Sequence, residues 1–403
     1  MKTRIAMIWG GKTVEHEVSV ISGIQALKAM NTDKYEIIPV YMTKDNDMYI
    51  GKSVGDIEAY KNIPALLKES QRVIMVNDGG KFLLTPYPFK FFGSSKAVEF
   101  DLAFPVVHGT NVEDGALQGY LKTVGVPIIG PDVTASAISM DKAITKAVVK
   151  DAGVPVLDAK VYTTADYDDL DKMVDDIEQV VGYPVIVKPV NLGSSVGIGI
   201  AKSRDELIGA VDDAFMYATR IMAEHAISKL REINCAVLGD ETEAIASECE
   251  EPLTSGVILS YEDKYVNGGG KGAKGGAKSS AAAAGAAKGS QGSGMANLSR
   301  KIPADLTKKK REEIRELAVK AFKALGCNGV SRIDFMIDED SGALYFNEIN
   351  PIPGSLSFYL WEPTGMPYEE LLDRIIELGI KRARQEDAIT YKFDTNILSS
   401  AKI

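Results

Sequence analysis

Apolar residues recur along this chain with two periods. Apolar or alternating runs predict strands over residues 4–9, 35–41, 102–107, 127–129, 184–189, 222–227 and 231–239. Helical spacing follows the first strand, where Val18, Ile21, Ile24 and Leu27 fall on one face. Further helices are predicted over 116–124, from Ser139-Met140-Asp141-Lys142 to about residue 151, over 166–180, and over 307–325. In the helix at 307–325, Ile314, Leu317, Ala318, Ala321, Phe322 and Leu325 form the apolar stripe and Gly326 marks the end. A last helix covers 367–384. A strand running into Gly10-Gly11 and then a helix is the opening of an α/β domain with an open parallel sheet, and the later strand-rich part has α+β character.

The most informative pattern is at residues 331–354. Two alternating runs flank the turn-rich DEDSG, which predicts a β-hairpin. Ile333, Phe335 and Ile337 share one face of the first strand, Arg332 and Asp334 the other; in the second, strict alternation groups Phe346, Glu348 and Asn350. A loop at 339–343 sets Asp334 opposite Glu348 and Arg332 opposite Asn350. Facing carboxylates repel, so this face either holds a cation such as Mg²⁺ among oxygen ligands or is a solvated surface neutralised by Arg332.

Other chemistry clusters near predicted strand ends. Glu15 stands at the mouth of the first sheet, where it also suits a helix N-terminus. His108 and Glu113 follow the strand at 102–107, at a carboxyl end where open α/β sheets bind ligands. Lys188 lies on the strand that feeds VNLGSSVGIGIAKS. That glycine- and serine-rich turn lacks the ending of a P-loop, and it is either a flexible hairpin or a set of N–H and hydroxyl donors for phosphate. Glu224 and Glu232 sit on the next two strands.

Composition narrows the class. The chain has 403 residues, enough for two or three domains, with 45% hydrophobic and 25% charged residues, as in ordinary globular proteins. A net charge of −10 argues against a nucleic-acid partner. The three cysteines have no metal-type spacing, no stretch reaches transmembrane length, and MKTRIAMIWGG is too short for a signal peptide; a cytoplasmic protein without a membrane partner is expected. Residues 267–294 are almost entirely Gly, Ala, Ser and Lys, a composition expected of a disordered loop.

Taken in order, GG-x₃-E-x-EVS (10–19), HGTN-x-EDG (108–115), SMDK (139–142), VKP with GSSVG (187–197), YEDKY (261–265), RID (332–334) and NEIN-x₂-PG (347–354) resemble the D-alanine–D-alanine ligases of the ATP-grasp superfamily. The resemblance runs from about residue 3 to 380. It implies an α/β substrate-binding domain over 1–138, then an ATP-grasp fold in two parts, 139–228 with the glycine-rich loop and 229–403 with the metal site and the 267–294 insert. The implied reaction joins two D-alanine molecules through an acylphosphate, for peptidoglycan precursors, with release of ADP and phosphate.

By this resemblance Lys142, Lys188, Gly193 and Ser195 attend the ATP phosphates, with Lys264 also on the ATP side. Glu224, His225, Ile227 and Glu232 attend the adenine and ribose. Asp334, Glu348 and Asn350 match the ligands of two Mg²⁺ (or Mn²⁺) ions, with a monovalent cation left open. Arg332 and the Gly354 N–H match groups that stabilise the tetrahedral oxyanion. Glu15, Ser194 and Tyr265 match the set that holds the first substrate and latches a lid; His108 and Glu113 fall beside that substrate. A homodimer is implied by analogy.

Three positions depart from the family. The acceptor-side Ser-Leu pair is Tyr359 and Leu360, the usual lysine after Glu224 is His225, and the segment after Tyr265 is longer. The alternatives are therefore the same chemistry with D-serine or D-lactate as acceptor, or a non-catalytic ATP-binding relative with a regulatory role. Loop-closure entropy grows by only about 0.6 kcal/mol per doubling of length, so the insert should cost a lid little. Replacing residues 268–293 with a short Gly-Ser bridge is expected to leave turnover within a few-fold, with Tyr265→Phe more harmful. Steady-state kinetics on both variants check this, and a collapse in the shortened protein with folding intact would assign the insert a catalytic part.

Overall fold

The strand Thr3–Gly10 is the axis of the first layer, with Ile5 to Trp9 fully buried. The structure, a computed structural model, describes residues 2–89, 96–193, 196–253 and 300–390; Ser194, Ser195, Lys264, Tyr265 and the 267–294 insert lie outside these. Thr3–Gly10 pairs in parallel with Tyr35–Met42 on one side and Leu102–Pro105 on the other, and Ile128 bridges in parallel to Ala103. Antiparallel strands Met48–Ile50, Gln71–Asp78, Lys81–Pro86 and Val98–Phe100 extend this parallel centre. The links after Met42 and Asp78 are too short for a crossover, so they turn back as hairpins.

A four-stranded antiparallel sheet follows in the order Gly199–Ala201, Val185–Pro189, Arg220–His225, Ala159–Thr163. Helices Leu170–Val180 and Arg204–Phe215 cover it through Val174, Ile177, Leu207 and Val211. The third sheet runs Arg300–Lys301, Ala244–Pro252, Leu230–Gly239, Gly329–Asp338, Leu344–Asn350. Helix Lys308–Ala324 packs Ile314, Ala318, Ala321 and Phe322 onto one face of it. Helix Tyr368–Asp387 returns Leu371, Leu372, Ile375 and Ile376 to the core of the first sheet. Among the described residues no helix is long and apolar enough to cross a membrane.

Two expected helices are split by aspartates. Asp141 ends Val133–Met140 and caps Lys142–Asp151, its carboxylate accepting from the N–H groups of Ala143 and Ile144 at 3.1 and 3.0 Å. Asp169 likewise separates Thr164–Tyr167 from Leu170–Val180. Strands Ala159–Thr163 and Ala244–Pro252 and helix Arg204–Phe215 have no counterpart in the sequence expectation.

The hairpin pairs Arg332 with Asn350 and Asp334 with Glu348, the register that a 339–343 loop requires. A bulge then intervenes, because Phe335 pairs with Phe346 and Asn347 is the extra residue. Strict alternation put Phe346 on the face of Glu348 and Asn350. The bulge corrects this: Phe346 and Ile349 both enter the core, while Glu348 and Asn350 stay on the opposite side.

Candidate active site

Gly10 (φ +94°) ends the first strand against the second, where an added Cβ would lie 2.1 Å from the Met42 carbonyl oxygen. The Gly10 N–H donates to Ser19 Oγ (2.8 Å), which donates to the Val106 carbonyl (2.9 Å). This bond fixes the loop bearing Glu15 beside the loop bearing His108. Gly109 (φ +86°) completes the approach, since a Cβ there would meet Glu15 Oε2 at 2.9 Å. Gly193 of the glycine-rich turn comes up from the second sheet, where an added Cβ would lie 3.5 Å from the same oxygen. Glu15, His108, Glu113, Lys142, Gly193, Arg332, Glu348, Asn350 and Gly354 thus line one cleft of about 720 Å³, open to solvent.

His108 and Glu113 clamp the segment after Asn350. A carbonyl only accepts, so His108 Nδ1–H donates to the Ile352 oxygen (2.8 Å), and Nε2 accepts from Ser22 Oγ–H (2.8 Å). Ser22 Oγ in turn accepts from the Ser355 N–H (2.9 Å). Burial lowers the His108 pKa, consistent with this neutral tautomer. Glu113 accepts from the N–H groups of Gly109 (2.7 Å) and Ile352 (3.0 Å). Ser22, on helix His16–Ala29, was not singled out by the sequence reading, and only its contact with His108, 86 residues away in the chain, reveals it.

Burial pushes the Glu113 carboxyl up to about 8, and Glu15 adds to the rise against the pull of the two N–H groups. The folded value lies above the ordinary one. The stability contributed by the neutral form is therefore complete below the unfolded pKa, near 4.5, and is lost as pH rises through about 8. Melting temperatures should decline across that window, and Glu113→Gln, with no proton to lose, should flatten the decline. Equal slopes in the two proteins would contradict the assignment.

A second cluster lies between the glycine-rich strand and helix Lys142–Asp151. Glu224 is 1% exposed and ion-paired with both Lys188 and Lys146. Burial raises the Glu224 carboxyl, but the two ammonium groups outweigh it and hold it below the usual range. Burial lowers Lys146 to about 8, against the pull of Glu224. Lys146 was missed in the sequence, although its position four residues after Lys142 on one helix was the available signal. Lys188 Nζ also reaches Asn347 Oδ1 (3.4 Å), and Lys142 Nζ donates to the Leu192 carbonyl (2.7 Å) and lies 3.1 Å from Glu348. The bulge residue Asn347 and its neighbour Glu348 therefore tie the hairpin to the glycine-rich segment.

Arg332 grips Asp334 with two bonds of 2.7 Å, and Asn350 Nδ2 donates to Asp334 at 3.2 Å. Burial pushes the Asp334 carboxyl up, Arg332 pulls it down, and Glu348 and Glu250 add to the push. Register explains the crowding: Glu250, Asn234, Asp334 and Glu348 are successive partners across four adjacent strands. Among the described residues no three acidic, histidine or cysteine side chains converge enough to hold a metal alone.

Other expected positions lie off this cleft. Tyr359 and Leu360 are buried in the turn Gly354–Leu360, His225 is exposed at its strand end, and Ile227 and Glu232 are half-buried beyond it. Ser194, Ser195, Lys264 and Tyr265 are outside the described residues.

Three sheets with their helices thus make an α/β protein with a cleft lined by Lys142, Arg332, Glu348 and Asn350. Comparison with known proteins agrees. Residues 4–131 match the family model "D-ala D-ala ligase N-terminus", and residues 148–283 and 290–377 match "D-ala D-ala ligase C-terminus". The chain is 36% identical over 397 residues to a D-alanine–D-alanine ligase of Caldicellulosiruptor bescii, covering 97% of this chain and 98% of that one. It is 38% identical to one from Thermoanaerobacter sp. strain X514, covering 94% and 97%. Among solved structures, the D-alanine-D-alanine ligase from Coxiella burnetii aligns with a TM-score of 0.74 at 27% identity, covering 96% of each chain. The VanG D-Ala:D-Ser ligase from Enterococcus faecalis aligns with a TM-score of 0.74 at 29% identity, covering 94% of this chain and all of that one. The chain belongs to the D-alanine–D-alanine ligase family.

Proposed function

We propose that the protein joins two D-alanine molecules into D-alanyl-D-alanine at the expense of ATP. The donor carboxylate takes the γ-phosphoryl group of ATP, which leaves D-alanyl phosphate and ADP. The amine of the acceptor then attacks the acyl carbon, phosphate departs with the bonding electron pair, and the amine proton is lost to solvent. The observation that carries this reading is one cleft in which Lys142, Arg332, Glu348, Asn350 and the Gly193 turn meet, in a chain that matches the ligase family at both ends.

Lys142 and Lys188 are proposed to hold phosphates as point charges, and Glu224 to hold Lys188 and Lys146 in place until ATP binds. Glu15, which lines the cleft, is proposed to receive the donor ammonium, and the clamp of His108 and Glu113 holds the backbone at Ile352. Arg332 and the Gly354 N–H, both at the cleft, are proposed to stabilise charge on the acyl oxygen. The donor set of Asp334, Glu348 and the Asn350 amide is hard, all-oxygen and incomplete by itself, which suits Mg²⁺ or Mn²⁺ shared with phosphate oxygens. When bound, such ions neutralise the phosphates during transfer.

The test is ADP release with ATP, Mg²⁺ and D-alanine, with products identified by mass. No D-alanine-dependent ADP release would end the ligase reading and favour a non-catalytic nucleotide binder. Offering D-serine and D-lactate as rival acceptors addresses the departure at Tyr359, and predominance of either product over D-alanyl-D-alanine would reassign the acceptor.

A further inference from the structure

Lys146 lies one turn along helix Lys142–Asp151 from Lys142, yet of the two only Lys142 lines the cleft. Its placement follows from the pleat of the second sheet. Val185, Val187, Ile221 and Ala223 pack toward helices Leu170–Val180 and Arg204–Phe215, so the alternate positions Lys188, Met222 and Glu224 face the other way. Lys188 pairs with Met222, and Glu224 stands two residues further along that strand, a diagonal that long side chains span. Helix Lys142–Asp151 brings Lys146 to the same carboxylate. Glu224 thus takes one ammonium on each oxygen, Lys188 on Oε1 and Lys146 on Oε2. The two lysines are only 4% and 5% exposed, so water does little for any of the three charges.

The lysines differ in what else they reach. Lys188 Nζ also lies 3.4 Å from Asn347 Oδ1, on the hairpin strand that carries Glu348. Lys146 has Glu224 as its only ion-pair partner among the described residues. Lys188 is therefore the lysine that can turn toward the hairpin, and Lys146 the one that stays. In this structure Lys188 is held by Glu224 and is not part of the cleft wall. To serve phosphates it has to loosen that hold. A carboxylate buried as deeply as Glu224 strongly resists being left without a cation. With Lys146 in place, Glu224 keeps one ammonium when Lys188 leaves. Without Lys146, it would keep Lys188 and withhold it from the phosphates.

We propose that Lys146 is a positioning residue for nucleotide binding: it retains Glu224, so that Lys188 is free to exchange that carboxylate for a phosphate oxygen of ATP. Lys146 itself touches no substrate. The inference rests on the reading of Lys188 as a phosphate ligand, and it goes beyond that reading by assigning a role to a residue outside the cleft. It also separates stability from binding. Lys146→Met leaves Glu224 paired with Lys188 and so costs the fold little, and that same pairing is what ATP then has to break.

Calorimetric binding of β,γ-imido-ATP with Mg²⁺ to the whole protein, alongside steady-state kinetics, tests this. Lys146→Met should raise the Kd, and the KM for ATP with it, about ten- to a hundredfold, the range for breaking one charge-assisted hydrogen bond. The kcat at saturating ATP and the KM for D-alanine should stay within about threefold of the parent. Lys146→Arg should restore most of the affinity. In a Glu224→Gln background, where a neutral amide holds Lys188 less firmly, Lys146→Met should change the Kd by less than about threefold, a coupling that lost packing would not produce. Lys146→Gln, which carries no charge, serves if Lys146→Met does not fold and should weaken binding in the same way. A Kd within about threefold of the parent in the folded variants overturns the inference, and so does an equal rise in both backgrounds. Lys188→Met should weaken binding at least as much as Lys146→Met. Unchanged binding there overturns the reading of Lys188 as a phosphate ligand, and the inference with it.

Discussion

Glu348→Gln is expected to lower turnover by about three orders of magnitude at saturating Mg²⁺, with the fold retained. Glu348 faces Asp334 directly across the hairpin and is the more exposed of the two carboxylates, so the change costs the unliganded protein little. On the proposed reading, what it removes is one charged oxygen ligand from a set that is already short of a full shell. Asp334→Asn should be equally inactive but also less stable, because it strands the buried Arg332 guanidinium without its bidentate partner. Steady-state ADP release and thermal melts on both variants test the pair. Turnover within tenfold of the parent in Glu348→Gln would show that the facing carboxylates are not a metal site.

The second large effect is on stability. Glu224→Leu is expected to cost about 3–5 kcal/mol, the usual penalty for removing one partner of a buried ion pair. Here the deletion leaves two ammonium groups, Lys146 and Lys188, side by side in a site where both are nearly inaccessible. Lys146→Met should cost much less, since Glu224 keeps Lys188 and the methionine stem fills the same space. Denaturant titration of both variants decides the matter. A loss under about 1 kcal/mol in Glu224→Leu would mean that the lysines find water or another anion, and that Glu224 does not organise them.

Local rules explain what could be read in advance. A hairpin is set by the pleat and by the length of its turn, so the opposition of Asp334 to Glu348 and Arg332 to Asn350 followed from about twenty consecutive residues. Helix Lys308–Ala324 and its stop at Gly326 followed in the same way from an apolar stripe and a left-handed terminal residue. The bulge at Asn347 did not, because strict alternation has no term for an extra residue, and the bulge is what sends Phe346 to the core and Glu348 to the cleft.

The chain alone thus determined the hairpin, the family motifs and the residue types needed for phosphate and carboxylate chemistry, because each is written in neighbouring positions. Tertiary structure decided which of them meet. The row Glu250, Asn234, Asp334, Glu348 depends on strand order in a sheet whose members are more than a hundred residues apart in the chain. The neutral His108 depends on Ser22 and Ile352, 86 and 244 residues away. The grouping of Lys146 with Glu224 and Lys188 depends on a helix docking against a strand. Periodicity records which face of an element is buried, but not which element covers it, and a site made between layers exists only once that choice has been made.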